Sequence, residues 1–166
     1  MRLRPFISCC DFNEIKCWIS DERTHAMWCA NFMKYPMEKE NFDNVMLKEA
    51  SMFGASPYVA TTDDGKIVGF FCYLVDLGTN EGMLKFVMVA PSQRGKGLGK
   101  AMLQLAIEYA FHITKVDAVQ LNVFPENIRA QKCYESVGFV ERKTDVNAFR
   151  FKDESWGRCN MVIEKV

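Results

Sequence analysis

Gly95, Gly97 and Gly99 alternate with Lys96 and Leu98, and Gln93, Arg94 and Lys100 flank them. Glycine tolerates positive φ and lets the backbone approach a ligand closely. Downstream, Leu98, Met102, Leu105, Ala106 and Tyr109 recur at helical spacing, which predicts a helix from Leu98 to about Phe111. The first N–H groups of a helix have no partner within it, point the same way and carry the positive end of the macrodipole. A glycine-rich turn at that place binds phosphate. Arg94, Lys96 and Lys100 add three cations within seven residues, uninterrupted by an acid. Upstream, Val87, Met88 and Val89 continue an apolar run from Phe86 that suits a strand covered on both faces. Pro91 and Ser92 end it.

Two common phosphate motifs do not fit. A Walker loop needs glycine where Arg94 stands and a hydroxyl where Ala101 stands. A dinucleotide fingerprint started at Gly95 meets Lys100 where its last glycine belongs. What remains, Arg94-x-x-Gly97-x-Gly99 with Gln93 beside it, resembles the Q/R-x-x-G-x-G/A pyrophosphate signature of the GNAT superfamily, the acetyl-CoA-dependent N-acetyltransferases. A second block, Leu121 to Phe139, is similar to that family's L-x-V-x-x-x-N-x-x-A-x-x-x-Y-x-x-x-G-F stretch. The resemblance implies that Gln93, Arg94, Gly95, Lys96, Gly97, Leu98, Gly99 and Lys100 cradle the CoA pyrophosphate. It implies that Asn127 touches the pantetheine or phosphate region, that Tyr134 lies near the thioester sulfur, and that backbone groups of Val87, Met88 and Val89 line the acetyl portion.

Such residues suit acyl transfer from a thioester to an amine, which passes through a tetrahedral oxyanion and expels a thiolate. A tyrosine, with an unperturbed pKa of about 10, is protonated at neutral pH and can donate to the sulfur. Positioned acid catalysis contributes about 10²–10⁴-fold. A backbone N–H on the strand ending at Val89 can meet the oxyanion. The base is less defined. In the branch of the family that acetylates the amino terminus of a ribosomal protein, a glutamate stands at the strand position that is Asn122 here. Glu81, Asp76, Glu126 and a water chain are the alternatives. The expected activity is direct transfer from acetyl-CoA, as co-substrate and without a metal, to a small amine or a protein amino terminus. The rival is a non-catalytic acyl-CoA-binding sensor or interaction module, which the missing acid at Asn122 supports.

These groups need a scaffold. Arg2 to Ser8 reads as an edge strand. Asp11 can cap a helix through Ser20, Asp21 to Phe32 is a second, and Glu38 to Met52 a third with Phe42, Val45, Met46 and Ala50 inward. Pro57–Thr61, Ile67–Val75 and Met83–Val89 are strands, the first two joined through the hairpin turn Asp63-Asp64-Gly65. A bulge is expected at Gly69. Ala118 to Phe124 is a further strand, reached from Val89 by a parallel crossover. Asn127 caps the next helix and Gly138 ends it. Phe139–Lys143 and Cys159–Lys165 close the sheet, joined by Thr144 to Trp156. Asn147 to Trp156 either borders the acceptor or forms a hairpin with cross-strand pairs. The sum is an α/β fold: a mixed, mostly antiparallel sheet with helices on both faces and one central parallel pair. This matches the GNAT fold over essentially the whole chain, as one domain.

Composition sets the outer bounds. The 166 residues carry 21 basic and 21 acidic side chains, which leaves no cationic excess to bind nucleic acid broadly. Hydrophobic residues make up 49% and charged residues 25%, as in globular proteins. Seven cysteines without a C-x-x-C, and only His25 and His112, assemble no zinc spacing. Free cysteines within apolar elements suit a reducing cytoplasm. Met1 to Pro5 lacks the apolar core of a signal peptide, and no apolar run reaches membrane-spanning length. A homodimer accords with the family; nothing in the sequence fixes an interface.

Overall fold

A computed structural model describes residues 1–165. One seven-stranded sheet runs in the order β1-β2-β3-β4-β5-β7-β6. Its strands are β1 (Arg2–Pro5), β2 (Ser56–Thr61), β3 (Ile67–Asp76), β4 (Glu81–Val89), β5 (Ala118–Val123), β6 (Val140–Phe151) and β7 (Glu154–Glu164). All neighbours are antiparallel except β4 and β5, the expected parallel pair. The helices are α1 (Ser8–Lys16), α2 (Glu22–Cys29), α3 (Lys39–Phe53), α4 (Leu98–Tyr109) and α5 (Ile128–Glu135). Helix α4 runs on into a wider π-type turn over Ala110–Thr114.

Two apolar clusters sit on opposite faces. Met102, Leu103, Ala106 and Ile107 of α4 and Tyr134 of α5 pack on one. Phe12, Ile15, Cys29, Phe42 and Met46 of α1–α3 pack on the other, around Phe70 of β3. Among the described residues no helix is long and apolar enough to cross a membrane.

The two faces meet in β4, where a bulge changes the side-chain alternation. Lys85 pairs with Cys72 and Met88 with Phe70, so Phe86 and Val87 together oppose Phe71. Phe86 takes φ +54°, a left-handed conformation that costs a bulky residue energy. A one-residue slip moves every later side chain to the other face. Accordingly Leu84 belongs to the α4 cluster, whereas Phe86 and Met88 belong to the α1–α3 cluster. Parallel pairing with β5 covers only Glu81 to Leu84, so the strands part beyond that point.

Several expectations change. Ile7, not Asp11, is the N-cap of α1. Asp11 lies one turn in, buried, and accepts the Ile7 N–H at 2.7 Å and both Arg4 guanidinium nitrogens at 2.7 and 2.8 Å. Charge pairing with Arg4 outweighs the cap role. On α3 the inward place expected for Ala50 goes to Glu49, whose carboxylate meets Lys85 of β4. Thr144 to Trp156 is no separate connection: β6 and β7 form one long hairpin turning at Lys152–Asp153, with Phe149 opposite Trp156. The bulge between β2 and β3 falls beside Gly69, where a Cβ would collide with the Met102 sulfur.

Candidate active site

The turn after β4 is built as its glycines require. Pro91–Gln93 makes one 3₁₀ turn, and Gly95 and Gly97 both take φ +77°. A Cβ on either would meet nothing within 4 Å, so their left-handed backbone, not crowding, demands glycine. Gly97 is the N-cap of α4 and offers no side chain, which leaves the first-turn N–H groups facing outward. Gly99 is different: a Cβ there would press within 3.3 Å of Cys133 of α5 and Val89 of β4. It brings the start of α4 close to both. Arg94 ties the turn back to the strand by donating Nε–H to the Val89 carbonyl at 3.1 Å.

A continuous cleft of 990 Å³ opens where β4 and β5 part. Its walls come from both faces of the sheet: Met27 and Trp28 of α2, Lys85 to Val89 of β4, the glycine turn, Asn127 to Tyr134 around α5, and Phe149 of β6. Of the expected site residues, Val87, Met88, Val89, Arg94, Gly95, Gly97, Gly99, Lys100, Asn127 and Tyr134 line it. Gln93, Lys96 and Leu98 do not; Lys96 Nζ donates to Gln93 Oε1 at 3.3 Å on the outside of the turn. Asn127 spends its Oδ1 on capping α5 through the Ala130 N–H at 3.2 Å, leaving its Nδ2–H₂ to donate.

The end of the cleft at the glycine turn is strongly cationic. Arg94, Lys100, Arg129 and Lys132 line it. Burial and the neighbouring Arg129 guanidinium both pull the Arg94 pKa down, so two cations repel across this space. That charge, the outward first-turn N–H groups and the open cradle at Gly95 and Gly97 fit an anion of several phosphates. Among the described residues no group of three or more metal-ligating side chains converges.

Tyr134 stands where this end meets the parting of the strands. It is buried within the α4 cluster, 7% exposed, and edge-on to Phe139. Burial, and secondarily Cys133, push its phenol well above the ordinary tyrosine range, so it holds its proton. No buried side-chain polar atom of the described residues lacks a partner, and no hydrogen bond among them engages this hydroxyl; it borders the cleft instead.

The carboxylates considered for a base lie elsewhere. Glu81, at the far end of β4, is held by Arg142 at 2.8 and 3.1 Å and by Gln120. Asp76 closes a turn through the Gly78 N–H at 2.8 Å. Glu126 accepts the Gly157 N–H at 3.3 Å. Asn122 does line the cleft, with Oδ1 accepting from Asn160 at 3.1 Å.

Sequence reading missed three contributors. Trp28 donates Nε1–H to the Phe86 carbonyl at 2.8 Å and so fastens the bulge. Lys85, paired with Glu49, enters the cleft wall. Cys29 also lines it, with Sγ 3.5 Å from His25 Nε2 on the same face of α2. Burial lowers the histidine pKa and raises the thiol, so that pair rests neutral. An i, i+4 spacing from His25 to Cys29 was the available signal, whereas Trp28 looked like any core aromatic.

Residues 14–139 match the model of the acetyltransferase (GNAT) family. The chain belongs to that family. Among curated relatives, it is 27% identical over 119 residues to the aminoglycoside N(6')-acetyltransferase type 1 of Klebsiella pneumoniae, covering 65% of this chain and 57% of that protein. It therefore spans little more than half the length of that relative. It is also 27% identical over 122 residues to the 5-NmdU N-acetyltransferase of Pseudomonas phage PaMx11, covering 74% and 83% of the two chains. In fold, the crystal structure of the spermidine N-acetyltransferase from Vibrio cholerae in complex with CoA and spermine superposes with a TM-score of 0.82 at 20% identity, covering 98% and 94%.

Proposed function

We propose that this chain transfers the acetyl group of acetyl-CoA to a primary amine, with both reactants in the cleft at once. One observation carries the reading: a single cleft joins the two faces of the sheet at the parting of β4 and β5, with a phosphate cradle at one end and Tyr134 at the junction. The two curated relatives named above, both N-acetyltransferases, support it.

Acetyl-CoA supplies an acetyl group activated as a thioester. In this reading Arg94, Lys100, Arg129, Lys132 and the N–H groups at the start of α4 hold its phosphates, and Asn127 Nδ2 donates to the arm between phosphates and sulfur. Backbone N–H groups of β4 between the bulge and Val89, freed from β5, donate to the acetyl oxygen as its charge grows. Tyr134 keeps its proton until the sulfur departs, then delivers it. No carboxylate of the described residues lines the cleft, so the amine sheds its proton to water, beside which Asn122 offers a polar partner.

Calorimetric titration with acetyl-CoA and CoA, followed by thiol-release assays over amines and peptides, tests this. Binding in the micromolar range with acceptor-dependent release is expected. Binding without release from any acceptor would instead favour an acyl-CoA sensor, a reading that the lack of a lining carboxylate also suits.

A further inference from the structure

The walls opposite the phosphate cradle point to the kind of amine accepted. This rests on the acetyl-transfer reading above and narrows it. That end is built from Met27, Trp28, Phe32, Phe86, Phe124 and Phe149. Phe124, Phe149 and Trp156 pack against one another, tilted or edge-on, with ring centroids 5.1–5.5 Å apart, forming one aromatic block behind the wall. The charged side chains lining this end are Arg23, Lys85 and Arg158, all cations. Among the described residues no aspartate or glutamate lines the cleft. The acids nearby are already engaged: Glu154 by Arg23 and by Trp156 Nε1–H, Asp145 by Lys143 and Arg158, Glu49 by Lys85.

An acceptor with several ammonium groups needs carboxylates for those that do not react, because an unpaired charge taken from water is strongly disfavoured. Here the nearby acids are already held by Arg23, Lys85 and Arg158, so such groups would find no free carboxylate among the described lining residues. An apolar body, by contrast, gains from the thioether and ring surfaces, and its single ammonium can rest on a ring face before losing its proton. We propose that the acceptor is a monoamine with an apolar, aromatic-sized body, and that this site discriminates against polycationic amines.

The test compares thiol release from acetyl-CoA by the full chain with 2-phenylethylamine and tryptamine against spermidine and kanamycin, at fixed ionic strength. We expect kcat/KM for the arylalkylamines to exceed that for the polycations by about 100-fold or more, the size of preference an unpaired-charge penalty produces. Phe149→Glu, checked for folding by acetyl-CoA affinity, is expected to reverse the order by lowering arylalkylamine and raising spermidine turnover. Equal or greater turnover of spermidine or kanamycin by the unaltered chain would overturn this inference while leaving amine acetylation standing. Acetyl-CoA binding with no release from any of the four amines would overturn this inference, and no release from the wider panel of amines and peptides would overturn the acetyl-transfer reading as well.

Discussion

At the residue scale the cleft depends on a few side chains whose surroundings fix their proton state. Tyr134 is held protonated by burial, so its phenylalanine variant is expected to lower kcat by about 10²-fold or more while leaving acetyl-CoA affinity within a few-fold. Thiol-release kinetics and calorimetry on the same preparation check it; full activity in Tyr134→Phe would remove the residue from the chemistry. Asp11 works for the fold alone. Burial raises its pKa, but the Arg4 guanidinium and the Ile7 N–H outweigh that and hold the carboxyl below the ordinary range. A folded-state pKa below the unfolded one gives stability that is present above about pH 4 and lost as pH falls through the folded value. Urea midpoints at pH 6 and pH 3 should therefore fall more steeply for the parent than for Asp11→Asn. Both site residues with motif signatures, Tyr134 and Asn127, were legible in the sequence because their positions follow fixed spacings. Asp11 was misread as a cap because the sequence shows no sign that Arg4 folds back onto it.

Elements position these side chains, and the decisive one is β4. Its bulge is held from outside by Trp28 and from beneath by the Glu49–Lys85 pair. Breaking that pair by Glu49→Leu leaves a largely buried ammonium and is expected to cost about 3–5 kcal/mol, measured by chemical denaturation. Trp28→Phe removes the hydrogen bond to the Phe86 carbonyl and part of the ring surface against Phe70 and Phe86. It should cost about 1–3 kcal/mol of stability, yet lower turnover disproportionately by loosening the strand proposed to face the acetyl oxygen. Alternation and turn chemistry exposed the strands, the Asp63–Gly65 hairpin and the α4 start in the sequence. The bulge stayed hidden: the run Phe86 to Val89 is apolar at every position, so it carries no period whose interruption could be seen. For Asn147 to Trp156 the sequence offered a hairpin as one of two readings, because the stretch mixes charges with aromatics, and the pairing of Phe149 with Trp156 bears the hairpin out.

For the whole molecule, zero net charge conceals a strongly polarised interior. Of the described residues, seven cations and no carboxylate line the cleft, while acids that balance some of them sit in ion pairs outside it. With no lining acid to titrate and Tyr134 raised, the rate profile should follow the acceptor. kcat/KM is expected to climb with pH until the acceptor's own ammonium has lost its proton, with no descending limb before that point. Measuring the profile with two amines of different pKa decides this, since a descending limb near neutrality would reveal a required acid of lower pKa. The bulge in β4 has one more consequence, best put as parity. Upstream of Phe86 the even-numbered residues look toward α4; downstream the odd-numbered ones do. Removing a single residue from Phe86-Val87 would restore one parity along the strand; Met88 would then stand two places after Lys85 and keep its layer, while the bulge that Trp28 fastens would be gone. Insertions and deletions are usually tolerated in loops and punished in strands by degree. Here the strand already carries one extra residue, and it is what lets Leu84 and Met88, both even-numbered, belong to opposite halves of the protein.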